Sequence, residues 1–290
     1  MKRLKESELI LNPDGSLYHI HLRPEHLARK VILVGDPQRV PMISSFFDKI
    51  EFVFENREIV THTGKLNNVR LTVMSTGMGP DNIDIVMNEL DALVNVDLDR
   101  KCIKEQLTSL NIVRIGTSGS LQADIPVDSM VLGRYGLGFD GLLHFYRSEG
   151  IFETEIEDSF IFHTGYPEYR SRPYVVKNDE RLGSRLGSDE VHSGITATAV
   201  GFYGPQGRVL RLGLDTPQMN KRIESFRHGD LRISNLEMET AAIYGLSKLL
   251  GHRAASMNAI IANRATLTFS KDPYKAVDRL IEYTLNQLII

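Results

Sequence analysis

Two stretches of the sequence break an apolar run with a glycine turn and place an arginine beside the break, an arrangement suited to holding an anion. They are Val31-Ile-Leu-Val-Gly35-Asp36-Pro37, with Arg39 just beyond, and Val113-Arg114-Ile115-Gly116-Thr117-Ser118-Gly119-Ser120. Where a buried strand gives way to a turn and a helix, backbone N–H groups and the helix dipole converge on one point. Gly-Asp-Pro taken alone needs no role beyond a tight turn. Arg114 adds weight, because a guanidinium inside an apolar strand is unfavourable unless it meets an anion, either a bound one or a carboxylate of the protein. Thr117 and the small residues after it add hydroxyl and amide donors at a strand end, where α/β sheets bind ligands.

A third stretch is Asn235-Leu236-Glu237-Met238-Glu239-Thr240. Its two carboxylates are either dipole-favoured surface groups at a helix start or a grip on vicinal hydroxyls. A fourth is Phe202-Tyr203-Gly204-Pro205-Gln206-Gly207-Arg208. A glutamine amide both donates and accepts, and an arginine two residues on can stabilise negative charge on whatever it binds. The alternative is a polar turn after Gly204-Pro205. His19-x-His21 lacks a third ligand at a recognisable spacing, so no metal is expected there. Gly136-Leu137-Gly138-Phe139-Asp140-Gly141 spells a dinucleotide fingerprint, yet no long helix opens at it, so no dinucleotide is expected.

Together these stretches resemble the nucleoside phosphorylase family that includes bacterial uridine phosphorylases, from about Tyr18 to Arg264. The resemblance implies that Gly35, Arg39, Arg114 and Thr117 bind phosphate, and that Arg57 reaches the same phosphate from a neighbouring subunit. It implies a ribose grip by Met238 and Glu239 with Glu237 beside them, and His19 of a partner chain at the 5′-hydroxyl, with His21 as a rival. Phe202, Gln206 and Arg208 become the pyrimidine site. Purine-specific relatives place an aspartate near Asn263, where this chain has an amide that cannot act as an acid. The catalytic set is then Arg114, Arg208 and Gln206, with inorganic phosphate as co-substrate and no organic cofactor. A monovalent cation such as K+ at the dimer interface, with Glu58 matching a family ligand, is also implied, as is a homodimer building block of a homohexamer.

The elements needed to position these residues follow from periodicity. Strands are expected at Val31 to Val34, Arg70 to Ser75, Asn111 to Ile115, Ser129 to Leu132 and Ala254 to Ile261, and a hairpin pairs Ile59 to Thr63 with Val69 to Met74. Helical spacing of Ile83, Val86, Met87, Leu90 and Leu93 follows Gly79-Pro80. A second helix is expected from near Glu237 to Gly251, and a last one from Asp272-Pro273 through Leu288. The fold class is α/β, a three-layer α/β/α sandwich with a mixed central sheet, in a single domain over residues 1–290. Segments 96–110 and 136–174 read as surface excursions.

A net charge of -3, from 34 basic and 37 acidic residues, gives no reason to expect nucleic acid or a membrane surface as partner. The lone Cys102 points to a reducing, cytoplasmic setting, and no apolar run approaches the roughly 20 residues that span a bilayer. The enzymatic alternatives are a purine nucleoside phosphorylase and a nucleosidase that uses water. A nucleoside-binding protein without turnover is the non-enzymatic one.

Overall fold

The computed structural model describes residues 3–289. The strand Lys30–Val34 shows why two layers of helices are needed: its side chains alternate between two cores. Val31 and Leu33 pack with Met87, Leu90 and Ile243 on one face, and Ile32 and Val34 with Val40, Leu280 and Ile281 on the other. Helices Pro80–Asn95 and Thr240–Leu250 therefore cover the first face, and Arg39–Ser44, Glu180–Leu186 and Pro273–Ile289 cover the second. This is the expected three-layer α/β/α arrangement.

The central sheet is mixed and has 12 strands. Lys30–Val34 pairs in parallel with Val69–Ser75 and with Asn111–Ser120, which in turn pairs in parallel with Arg253–Asn263. Beyond it the order runs through Met130–Gly138 and Val191–Thr198 to Leu231–Glu237. The last of these bends back to pair antiparallel with Asn111–Ser120, through Asn235 with Ser120 and Leu236 with Gly119. Five strands thus close a ring, and the closure carries Glu237 to the end of the strand that holds Arg114. Nothing in the local sequence pattern signals this long-range pairing.

Several expected boundaries shift for physical reasons. The hairpin turn is tighter than Gly64 to Asn68: the strands run to Leu66 and from Val69, and Asn67 and Asn68, both with positive φ, make the two-residue turn. The helix expected from Glu237 begins at Thr240, because Glu237 still pairs with Thr198 in the sheet. It ends as expected on Gly251, at φ 77°. The last helix starts behind Asp272, whose Oδ1 accepts from Lys275 N at 3.0 Å.

Segment 136–174 is more ordered than a loop. It holds the end of the strand Met130–Gly138 and the helix Thr154–Thr164, and Tyr174–Lys177 pairs back onto the former. Gly136 is needed for packing: a Cβ there would lie 2.7 Å from Ala241 Cα at the start of a helix. Segment 96–110 contains a short antiparallel pair, Val96–Asp97 with Cys102–Ile103. Among the described residues no helix is long and apolar enough to cross a membrane.

Candidate active site

At the C-terminal ends of Lys30–Val34, Asn111–Ser120 and Leu231–Glu237 lies a cavity of about 610 Å³. The sheet places all four nearby residues of the anion set on its wall: Gly35, Arg39, Arg114 and Thr117. Glu237, Met238 and Glu239 line it from the ring closure, and Phe202, Gln206 and Arg208 from the loop after Thr198. Glu58 stands at the same cavity, whereas His19, His21 and Arg57 do not line it. A second cavity, of about 450 Å³, lies at the far end of the helix Thr240–Leu250 beside Lys248, away from these groups.

Arg114 is buried, and both readings of its charge meet here. Its Nη2 contacts Glu239 Oε2 and lies 3.2 Å from Glu237 Oε2, while Nη1 donates to Asn258 Oδ1 at 2.8 Å. Burial alone would depress its pKa, but the carboxylates of Glu237 and Glu239 outweigh that and hold it above the usual value. The guanidinium folds back over its own strand at Gly116, where a Cβ would lie 1.9 Å from Nη1. A larger residue there would have to push the guanidinium away from its carboxylate and amide partners. Arg39 reaches in from the next turn and donates to Ile115 O at 3.1 Å. Its pKa is lowered first by burial and then by the Arg114 guanidinium, so two like charges face one cavity. An anion between them relieves that repulsion.

The carboxylates divide their work. Glu237 accepts from the backbone N–H of Glu239 and of Thr240, at 2.9 and 3.0 Å, and from Thr198 Oγ1 at 2.7 Å. It therefore caps the helix Thr240–Leu250, and most of its acceptor capacity is spent before a sugar arrives. Glu239 instead bridges Arg114 and the N–H of Gly79, 2.8 Å away. Gly79 has φ 101°, a conformation that needs glycine. Burial raises the Glu239 carboxyl pKa and Arg114 opposes the rise.

In the loop after Thr198, Gln206 is only 3% exposed. Its Oε1 accepts from Arg208 Nη1 at 2.6 Å, and among the described residues no group engages its amide nitrogen. Arg208 also donates to Phe202 O at 2.6 Å and lies 3.7 Å over the Phe202 ring, so three residues form one unit. Two further residues hold this loop: Arg264 Nη1 and Asn220 Nδ2 both donate to Gln206 O. Burial, then the nearby Arg208, lowers the Arg264 pKa to about 10. Asn263 is not on the cavity wall; its amide donates to Gln122 O and Ile125 O and accepts from Ala265 N and Thr266 N. It locks a turn and is not free for a ligand, so its being an amide says nothing about base choice.

His19 and Arg57 fall together on a separate surface. Asn56 Nδ2 donates to His19 O at 2.8 Å, and Arg57 lies 5.8 Å over the Tyr18 ring. Glu89 Oε1 lies 2.6 Å from His19 Nδ1, and the same carboxylate accepts from the backbone N–H of His19 and of Ile20, which fixes this turn. His21, at φ 58°, sits in the turn beside it. Among the described residues no group of three or more His, Cys, Asp or Glu side chains gathers at Glu58 or elsewhere. Sequence reasoning missed Glu89, Asn220, Asn258 and Arg264 as partners of the site, because each acts on a residue distant along the chain.

The Phosphorylase superfamily profile matches residues 29–285. A uridine phosphorylase of Thermococcus kodakarensis is 32% identical over 259 residues, which cover 89% of this chain and 81% of that protein. A purine nucleoside phosphorylase of DeoD type 2 from Vibrio cholerae is 25% identical over 274 residues, 93% of this chain and 98% of the other. The crystal structure of a Trypanosoma brucei nucleoside phosphorylase, described as showing uridine phosphorylase activity, superposes with a TM-score of 0.87 at 30% identity. It covers 97% of this chain and 99% of that one.

Proposed function

We propose, on the premise that this chain belongs to the phosphorylase superfamily, that it is a uridine phosphorylase that splits uridine with inorganic phosphate into uracil and ribose 1-phosphate. The observation that carries the reading is the hydrogen-bonded pair Gln206 and Arg208 lining the same cavity as the two anion-facing arginines. Gln206 Oε1 has a second lone pair for a pyrimidine N3–H while it accepts from Arg208, and its unengaged amide nitrogen is left to donate to the adjacent carbonyl oxygen of the pyrimidine. The relatives of known name include both pyrimidine and purine enzymes. This base wall is what favours pyrimidines.

In the proposed reaction phosphate attacks C1′ as the bond to N1 breaks, through an oxocarbenium-like ribose. Arg39, Arg114, Thr117 and the Gly35 turn hold the phosphate in line, so positioning supplies much of the acceleration. Met238 and Glu239 orient the sugar. Arg208 meets negative charge that develops on the leaving uracil, and so favours the transition state over the bound substrate. His19 and Arg57 share a patch outside this chain's own cavity, which supports their serving the site of a neighbouring subunit in a homodimer, the proposed unit of a hexamer.

The base wall is tested by substitution. Removing a polar partner from a site built around it costs about 1 to 3 kcal/mol, so Gln206→Ala and Arg208→Ala should each lower kcat/KM for uridine by about 5-fold to 150-fold. The Arg208 loss should fall mainly on kcat, and the Gln206 loss on KM as well. Because the two side chains are hydrogen-bonded, the double variant should lose less than the product of the single losses. A folded double variant with normal uridine kinetics would remove Gln206 and Arg208 from the base site.

A further inference from the structure

We infer that Asn258 is a positioning residue for the nucleophile, one that fixes the Arg114 guanidinium toward phosphate without touching phosphate itself; this rests on the phosphorylase reading above. Asn258 lies in the interior strand Arg253–Asn263, opposite Gly116 in the register and fully buried between Met257 and Ala259. An amide at such a place is unfavourable unless both of its ends are bonded.

Both ends are bonded, and the bonds lead back to the site. Oδ1 accepts from Arg114 Nη1 at 2.8 Å, and Nδ2 donates to Ser256 Oγ at 3.3 Å. Ser256 Oγ lies 2.8 Å from Thr240 Oγ1, Thr240 N donates to Glu237, and Glu237 faces Arg114 Nη2 at 3.2 Å. The contacts close a ring of five residues around the guanidinium. Arg114 is thus held on one terminal nitrogen by carboxylates and on the other by a neutral amide.

Neutrality matters at this position. Arg114 already faces two carboxylates, Glu237 and Glu239, so a third at this position would leave its immediate surroundings net negative against an anionic nucleophile. An amide supplies the acceptor that orients the guanidinium plane and adds no charge. Without it Nη1 is left buried and unbonded, and the plane can rotate about the carboxylate contacts.

The test is kinetic. Asn258→Ala should raise the KM for phosphate about tenfold while the KM for uridine stays within about twofold, since only the guanidinium facing phosphate is released. In an Arg114→Lys background, phosphate binding followed by its effect on melting temperature should show no further weakening from Asn258→Ala, because the group it acts through is gone. Should Asn258→Ala fail to fold, Asn258→Ser, which leaves a small polar side chain in the strand, must show the same selective rise. An unchanged phosphate KM in a folded variant overturns the inference, and so does an equal weakening in the Arg114→Lys background. A wild-type enzyme whose uridine cleavage ignores phosphate would instead refute the phosphorylase reading itself.

Discussion

Replacing Arg114 by alanine should lower phosphorolysis about a thousandfold in kcat/KM, the upper range for loss of one preorganised donor to a reacting oxyanion. It should also destabilise the fold. Arg114 stands between Glu237 and Glu239, both buried, and removing it leaves two carboxylates facing one another with no cation. Breaking a buried ion pair from one side costs about 3 to 5 kcal/mol. The sequence alone left open whether Arg114 meets a bound anion or a carboxylate of the protein; the structure gives it two carboxylates as well as a cavity to face.

The two losses can be separated by pH and by a milder substitution. Burial already raises the Glu239 carboxyl pKa, and without Arg114 it rises further above its unfolded value. Folding then takes up a proton, so the destabilisation should be smaller in mildly acidic buffer and should grow as pH rises through the folded-state pKa. Arg114→Lys keeps a charge between the carboxylates but cannot also reach Asn258 in the same fork geometry. It should recover most of the stability and little of the phosphate affinity. Melting temperatures against pH, beside phosphate KM, decide the matter. A folded Arg114→Ala with normal phosphate kinetics would withdraw the assignment.

A second large effect is expected from mixing subunits. Arg57→Ala should inactivate because the neighbour's cavity loses a cation, although Arg57 sits outside its own cavity and beside Tyr18. When Arg57→Ala chains are dissociated and reassembled with Arg114→Lys chains in equal amounts, half of the dimers combine the two. In each of these one site draws intact Arg114 from one chain and intact Arg57 from the other. Activity should return to about a quarter of the wild-type sites for random pairing in a symmetric dimer. Mixed oligomers as inactive as either parent would show that Arg57 does not serve a neighbour's site.

How much of this was legible in the sequence depends on how local the cause is. The strand Lys30–Val34 and the helix behind Gly79-Pro80 were readable because their periodicity and end signals lie within the segment itself. Arg114 stood out because a charge inside an apolar strand demands a partner, and the demand is visible even when the partner is not. Its actual partners arrive from Asn258, one strand away, and from Glu237 and Glu239, brought in by the ring closure of Leu231–Glu237 onto Asn111–Ser120. No window of neighbouring residues encodes that closure. For the same reason Glu237 read as a helix residue gripping sugar, when its carboxylate caps the helix from the end of a strand.

Asn263 carries a related lesson. By resemblance its amide marked a departure from the purine-specific pattern, yet all four of its amide hydrogen bonds go to backbone groups of adjoining turns. Gln206, Arg208 and Phe202 form one hydrogen-bonded and stacked unit on the cavity, and Arg264 and Asn220 fix the loop behind them.

The central claim is tested most directly by initial rates of base release from uridine and from inosine, each with and without inorganic phosphate, with the sugar product identified. The account predicts fast release of uracil that depends on phosphate and yields ribose 1-phosphate, with inosine cleaved far more slowly under the same conditions. Preference for inosine, or uracil release to free ribose at an equal rate without phosphate, would contradict it.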